Sequence, residues 1–305
     1  MRIHLKVLVA SLFMFLSSCG GGEGSPTGAT SSQAGGATSA TSSTTTSIVS
    51  IDPVLEGVWQ GAGTANTVVL AAALNRGAFW LIYGKPFGAL PAGTKAATTW
   101  KGFLSVDGFI RGSVSTKAGT VTSEDLLNFD MTETISPLKM AGNYAAGSFN
   151  ATLTASEATT SVVTIAPPAT SFVYSEIPRL ESILGDWKGA ELLGKSNDAR
   201  LSVVAGDTYG KVAQILLSVG GLTVQGASVT GCSFAGTIEP RKPSVAAENI
   251  FDFNLDGSSG CGSRARKTFT GIGIVQRIEQ GKMQFILLGT SIDGLGLLFS
   301  GLPSV

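Results

Sequence analysis

Leu55-Glu56-Gly57-Val58-Trp59-Gln60-Gly61 is answered further along the chain by Leu184-Gly185-Asp186-Trp187-Lys188-Gly189. The shared element is Gly-x-Trp-x-Gly, with its tryptophans 128 residues apart. Each copy opens a segment of similar length, residues 51–174 and 175–305, and Pro167-Pro168 and Pro178 punctuate the junction. Self-similarity at a long spacing, with helix- and strand-breaking residues between the copies, predicts two tandem domains of one kind.

Within each half, short runs rich in Val, Ile, Leu, Phe and Thr are separated by turn chemistry. The turns are Asn75-Arg76-Gly77, Asp107-Gly108, Gly206-Asp207, Gly220-Gly221, Asp256-Gly257, Gln280-Gly281 and Asp293-Gly294, all of them hairpin signals. In the second half this places strands at 183–190, 199–205, 211–218, 222–226, 230–238, 249–255, 267–276, 282–289 and 295–300. Phe251, Phe253 and Leu255 share one face of their strand while Asp252, Asn254 and Asp256 share the other. Gly271-x-Gly273 reads as a pair of small residues relieving crowding at a bend, and residues 123–128 read as a single helical turn. The expected fold is all-β: two antiparallel meander barrels of about eight strands each, closed so that neither leaves an edge. Trp59 and Trp187 are expected as structural plugs at the barrel bases. Trp80, Tyr83 and Trp100 are expected in core or rim positions.

Charge is scarce. Asp, Glu, Lys and Arg make up 14% of 305 residues, against about a quarter in a typical soluble domain. The 21 basic and 21 acidic residues cancel, and no basic stripe is present, which argues against nucleic acid as a partner. The mean hydropathy is mildly apolar, yet the strands are short and carry few Tyr and Trp, which does not suit a transmembrane barrel. The chain has one histidine, His4, inside a segment that reads as a cleaved leader. A mature protein without imidazole excludes the chemistries that need an imidazole base or metal ligand.

That leader runs from Met1-Arg2-Ile3-His4-Leu5-Lys6 through an apolar stretch to Leu16-Ser17-Ser18-Cys19-Gly20. The apolar stretch is too short to span a bilayer permanently. The last residues resemble the lipobox of bacterial lipoproteins, which implies cleavage after residue 18, acylation of Cys19 and anchoring through membrane lipid. An ordinary secretory peptide ending at a cysteine is the alternative, and would leave the exported chain soluble. Gly20 follows the cysteine where an Asp is associated with inner-membrane retention, so the resemblance implies the outer membrane, with the periplasmic and cell-surface faces both open. From 20 to 47, 25 of 28 residues are Gly, Ala, Ser or Thr. Such a tract cannot bury a core and is expected as a disordered tether with a reach of roughly 30 Å. The expected organisation is a signal segment at 1–18, a lipidated linker at 19–50, and barrels at 51–174 and 175–305.

Gly-x-Trp on a first strand followed by a meander is similar to the openings of lipocalins and of avidin-type barrels. The second half, through Gly231-Cys232-Ser233-Phe234-Ala235-Gly236-Thr237-Ile238, Asn249-Ile250-Phe251-Asp252-Phe253, Cys261 and Phe269-Thr270-Gly271-Ile272-Gly273, resembles an uncharacterised group of proteobacterial lipoproteins. Phe79-Trp80-Leu81-Ile82-Tyr83 and the Gly-rich stretch at 103–113 extend the likeness to the first half. The resemblance implies architecture and address and carries no reaction.

With Cys19 acylated, Cys232 and Cys261 remain as an even pair in an exported chain, read as a disulfide. It would close a loop of about 30 residues and stabilise by roughly 3 to 4 kcal/mol in the chain-entropy view. A redox or metal pair is the rival, but it lacks the Cys-x-x-Cys spacing and a histidine partner. Gly88-Ala89-Leu90-Pro91-Ala92-Gly93-Thr94-Lys95 imitates a phosphate loop with its last pair reversed and reads as an ordinary loop. Asp252 with Asp256, and Asp186 with Glu191, are the best acid pairs and read as solvated strand faces. Arg264-Ala265-Arg266-Lys267 reads as a soluble loop, with acidic glycans or lipid headgroups as its functional alternative. No catalytic, cofactor-binding or metal-ligating set emerges. The expected activity is therefore a non-enzymatic binding or interaction module, whose partner is a protein, a glycan or a small apolar ligand. The rival is a lipocalin-like carrier with apolar cargo inside one barrel.

Overall fold

A computed structural model describes residues 51–63, 67–87, 102–130, 135–146, 148–155, 160–168, 174–191, 196–206, 212–220, 222–224, 227–229, 232–242, 248–278 and 281–304. Cys19, the tether, Trp100 and the phosphate-loop imitation at 88–95 lie outside the described residues.

The first half is a curled antiparallel sheet. Its strands are β1 (Gly57–Ala62), β2 (Val68–Ala73), β3 (Ala78–Pro86), β4 (Phe103–Ser113), β5 (Ser115–Lys117), β6 (Thr120–Asp130), β7 (Ile135–Ala145), β8 (Ser148–Ala155) and β9 (Thr160–Pro168). They follow one another around the sheet, β9 returns to β1, and β6 pairs with both β7 and β4. β4 and β5 are one strand interrupted at Val114, and a two-residue turn with positive φ at Ala118 and Gly119 folds β6 back along them. The second half is a closed barrel of β10 (Gly185–Glu191), β11 (Ser196–Ala205), β12 (Ala213–Gly220), β15 (Cys232–Pro240), β16 (Phe251–Gly257), β17 (Thr268–Arg277), β18 (Met283–Ser291) and β19 (Gly296–Pro303). The all-β expectation of two barrel-like units therefore holds.

Three expected elements are corrected. Residues 222–226 are not a barrel strand: β13 (Leu222–Val224) and β14 (Ala227–Val229) form a separate hairpin between β12 and β15. Residues 123–128 are not a helical turn but lie in β6, where the register slips between Ser123 and Leu126. The slip is held by Asp125, whose carboxylate accepts from Ser113 N–H, Ser113 Oγ and Ser123 Oγ. Burial alone would raise its pKa, but these donors outweigh it and hold the carboxyl below its usual range. Asp107-Gly108 is not a turn either. It sits inside β4 at an irregularity opposite Tyr83 and Gly84, and a Cβ on Gly108 would stand 2.5 Å from the Phe129 carbonyl oxygen.

The two Gly-x-Trp copies occupy matching places. Gly57 and Gly185 both have positive φ, at 150° and 115°. Trp59 and Trp187 are buried, and each indole N–H donates to the carbonyl four residues earlier, Leu55 at 2.8 Å and Ile183 at 2.9 Å. Each faces a proline on the last strand of its own half, Pro168 and Pro303.

The barrel interior is filled by its own side chains. Trp187, Phe234, Phe251, Phe253, Phe269, Phe285 and Phe299 are buried together with Leu201, Leu217 and Leu287. Large rings lie over glycines of nearby strands: a Cβ on Gly289 of β18 would stand 2.5 Å from Cζ of Phe253 on β16, two strands away. Such ring-over-glycine pairing lets a small barrel close without voids. The Cys232–Cys261 disulfide ties the start of β15 to the loop that follows its neighbour β16.

A second apolar layer lies outside the barrel. Ile272 and Ile274 on β17, Ile286 and Leu288 on β18, Leu298 on β19, and Ile250 point away from the barrel interior, yet all are buried. They pack against Val58, Val68, Leu70, Trp80, Ile82 and Phe109 of the first sheet. β2 is consequently buried at every position, and β18 at every position after Met283. Strands covered on both faces read as continuous apolar runs rather than alternating ones. The six aliphatic side chains from the second half contribute on the order of 10 kcal/mol by area burial.

Gly271 tests the close packing inside the barrel. A Cβ there would stand 1.9 Å from the Leu288 carbonyl oxygen and 2.5 Å from Gly289 Cα, both main-chain atoms that cannot swing aside. Gly271→Ala is expected to lower the unfolding free energy by about 1 to 3 kcal/mol or more. Urea denaturation should show it as a reduced midpoint at unchanged slope.

Candidate functional site: the seam between the two sheets

Strands buried on both faces leave little room for polar groups, so those found in the seam need partners from across it. Gln284 is the second residue of β18 and is buried. Its Oε1 accepts from Phe103 N–H at 3.2 Å, and its Nε2 donates to Phe103 O at 3.1 Å and Ser300 Oγ at 3.1 Å. One side chain of the second half thus imitates a neighbouring strand for the first residue of β4. Gln276 Nε2 donates to the same Oε1 at 3.3 Å. Gly102, with φ of 79°, allows this approach, because a Cβ there would stand 2.6 Å from Ile278 Cγ2. Further along β4, Arg111 lies over the Trp80 ring at 5.4 Å and donates to Thr290 Oγ1 of β18. Burial lowers its pKa, opposed by the nearby Asp125.

At another edge of the seam lies an acidic cluster. Glu248 is buried; its Oε1 accepts from Asn75 N–H of the first half, and its Oε2 stands 2.8 Å from Arg241 Nε. Arg241 Nη1 donates to Asp252 Oδ1 at 3.0 Å. Glu56 and the Tyr174 hydroxyl complete the group. Burial raises the pKa of Asp252 first of all, with Arg241 pulling it back and Glu248 and Glu239 pushing it further up. Glu56 is raised by burial and then by Glu248. Tyr174 is raised chiefly by burial, reinforced by the two glutamates. Glu248 and Asp252 share the Arg241 guanidinium, and Glu56 lies close enough to Glu248 to feel its charge.

Two grooves open near β10. One, of about 330 Å³, lies at the mouth of the seam, bordered by Phe87, Leu104, Lys188, Ala190, Gln284 and Leu302. The other, of about 460 Å³, crosses the outer face of β10, β11 and β12 past Asp186, Lys188, Arg200, Ser202, Leu216 and Ser218. Lys188 borders both.

The residues singled out from sequence are dispersed. Asp252 is engaged by Arg241, whereas Asp256 accepts from Thr268 Oγ1, so each acid of that pair has its own partner. Asp186 is exposed beside the second groove. The charged stretch is a loop with Arg266 exposed, as expected, except that Arg264 closes a short 3-10 turn and is buried; Lys267 pairs with Asp293 at 2.6 Å. Trp80 lies in the seam, and the Tyr83 hydroxyl donates to Asn128 Oδ1 at 2.9 Å. Burial pushes the Tyr83 pKa up to about 12. Gln284, Arg111, Glu248 and Leu104 were missed, because their partners lie more than 170 residues away or on the other half and no local pattern marks them. Among the described residues no group of three or more His, Cys, Asp or Glu is arranged to hold a metal ion.

No protein-family profile and no curated protein matches the chain. Among solved structures, a DUF3598-family protein of unknown function from Nostoc punctiforme is a distant neighbour. It is 12% identical, with 82% of this chain and 97% of that chain covered and a TM-score of 0.24.

The acidic cluster makes stability depend on pH with a defined sign. A carboxyl whose folded pKa exceeds its unfolded one holds protons that the unfolded chain releases, so stability falls as pH rises above the ordinary carboxylate range. Glu56→Gln is therefore expected to stabilise the protein at pH 7, by less than about 1 kcal/mol because Glu56 is partly solvated. The gain should shrink toward pH 4, as read by thermal or urea unfolding at the two pH values.

Proposed function

We propose that the protein is an exported, lipid-anchored, non-enzymatic binding module of the bacterial outer membrane, held through an acylated Cys19. The observation that carries the binding part is the packed interior of the second barrel, where aromatic rings from six of its eight strands occupy the space that a cargo would need. A lipocalin-like carrier with its ligand inside requires that room, so binding is assigned to the outer surface and the seam. The seam-mouth groove is the best surface for it. Phe103, which borders it, and Ser113 are the opposite ends of β4, roughly 30 Å apart at the usual rise. The chain enters near the Ser113 end, where Asp52 N–H donates to Thr116 Oγ1 and Asp52 Oδ2 accepts from Tyr144. The described chain therefore begins at the end of the first sheet away from the groove.

Cells fed an alkyne-bearing palmitate analogue test the address. The wild-type chain is expected to carry the label and to sediment with outer membranes, and Cys19→Ser is expected to lose the label and move to the soluble fraction. Unchanged mass and partition in Cys19→Ser would refute the anchor.

A further inference from the structure

We propose that the seam-mouth groove binds a single-chain fatty acid, with its carboxylate on Lys188 and its chain along Phe87, Leu104, Ala190 and Leu302. The inference rests on the reading of this protein as a surface binding module and names the ligand of that surface.

Three features of the groove select this chemistry. Its apolar wall comes from both halves, Phe87 just past β3 and Leu104 on β4 from the first, Ala190 on β10 and Leu302 on β19 from the barrel, with Ser105, Gln284 and Ser300 as the uncharged polar side chains of the lining. Leu104 is 62% exposed and gives the groove apolar surface that a ligand would cover. Next, the amide in the floor is already satisfied. The Gln284 amide is bonded to Phe103 and to Ser300 Oγ, so the floor offers little to a hydroxyl-rich ligand such as a sugar and suits a methylene chain. Finally, Lys188 is the one charged side chain among the residues bordering the groove and has no ion-pair partner among the described residues. An ammonium at the rim of an apolar channel complements a ligand with an apolar tail and an anionic head.

The volume sets the size of that ligand. About 330 Å³ lies at the low end of the range for small-molecule sites, which fits one acyl chain and not a two-chain phospholipid. The neighbouring groove differs in its charges: Asp186 stands there beside Lys188 and Arg200, and Arg200 lies 3.9 Å from Asp198, so two carboxylates stand against its two cations.

The test uses the full chain carrying Cys19→Ser, so that no acyl group of its own competes. A dansylated undecanoic acid serves as the fluorescent probe, displaced by palmitate or by hexadecanol, which has the same chain without the charge. Saturable probe binding is expected, with palmitate displacing it at least about tenfold more effectively than hexadecanol, as for loss of one charge-assisted hydrogen bond. Lys188→Glu is expected to weaken palmitate by a similar factor and Leu104→Asp to abolish binding. Arg200→Glu, on the other groove, should leave both ligands unaffected. All three positions are exposed, and far-ultraviolet circular dichroism verifies that the variants fold.

Absence of saturable binding overturns the proposal. So does binding that ignores Lys188→Glu and Leu104→Asp, which would put the ligand elsewhere, and so does equal displacement by hexadecanol. Capture of intact phosphatidylglycerol vesicles without fatty-acid binding would mark a membrane-contact surface and also overturn it. Failure here with membrane partition intact leaves the anchored-module reading standing, and loss of partition with fatty-acid binding intact does the reverse.

Discussion

Everything else in the folded part depends on the burial of a row of aliphatic side chains on the wrong side of a barrel. Ile272, Ile274, Ile286, Leu288 and Leu298 project outward from β17, β18 and β19, where a solitary barrel would present polar residues to water. A free-energy gain on the order of 10 kcal/mol from covering them is comparable to the whole stability of an ordinary domain. Burial of the seam joins the halves, and residues 47–305 form one compact unit accordingly. The scarcity of charge follows from the same cause: two sheets that cover one another need fewer solvated faces than two separate barrels.

The interior of the barrel is taken by its own rings and glycines, and the seam gathers polar groups from both halves. There Gln284 serves as a surrogate strand for Phe103, Arg111 bridges to Thr290, and Glu248 gathers Asn75 and Arg241. Polar groups so deeply placed are costly unless paired, and pairing across the seam makes them determinants of how the halves register. The seam-mouth groove beside β10 is a by-product of that register, bounded by residues of both halves, whereas the outer groove is lined by the second half alone.

Much of the architecture was legible from residues alone. Gly-x-Trp marked the start of each half because both copies need a positive-φ glycine two positions before a buried indole. Alternation at Phe251, Phe253 and Leu255 revealed the inward face of β16, and the two late cysteines announced their disulfide. The failures have local causes. A Ser-Glu-Asp sequence that suits a helix start instead caps a slip in β6 through Asp125, and Asp107-Gly108, a turn pair by composition, fills a strand irregularity. The candidate site was not legible, since Leu104 and Lys188 are ordinary surface residues until two halves meet. Period-two patterning reports which face of a strand is apolar but not what covers it.

The claim that the two halves form one body is tested most directly by native-state hydrogen exchange across a urea series on the full chain, comparing amides of β2 in the first sheet with those of β11 on the far side of the barrel. If the seam couples the halves, the slowest amides of both strands exchange only through global unfolding, with a common free energy and a common urea dependence. Exchange of β2 at a distinctly lower free energy, with β11 still fully protected, would contradict the account and return the two halves to independent domains.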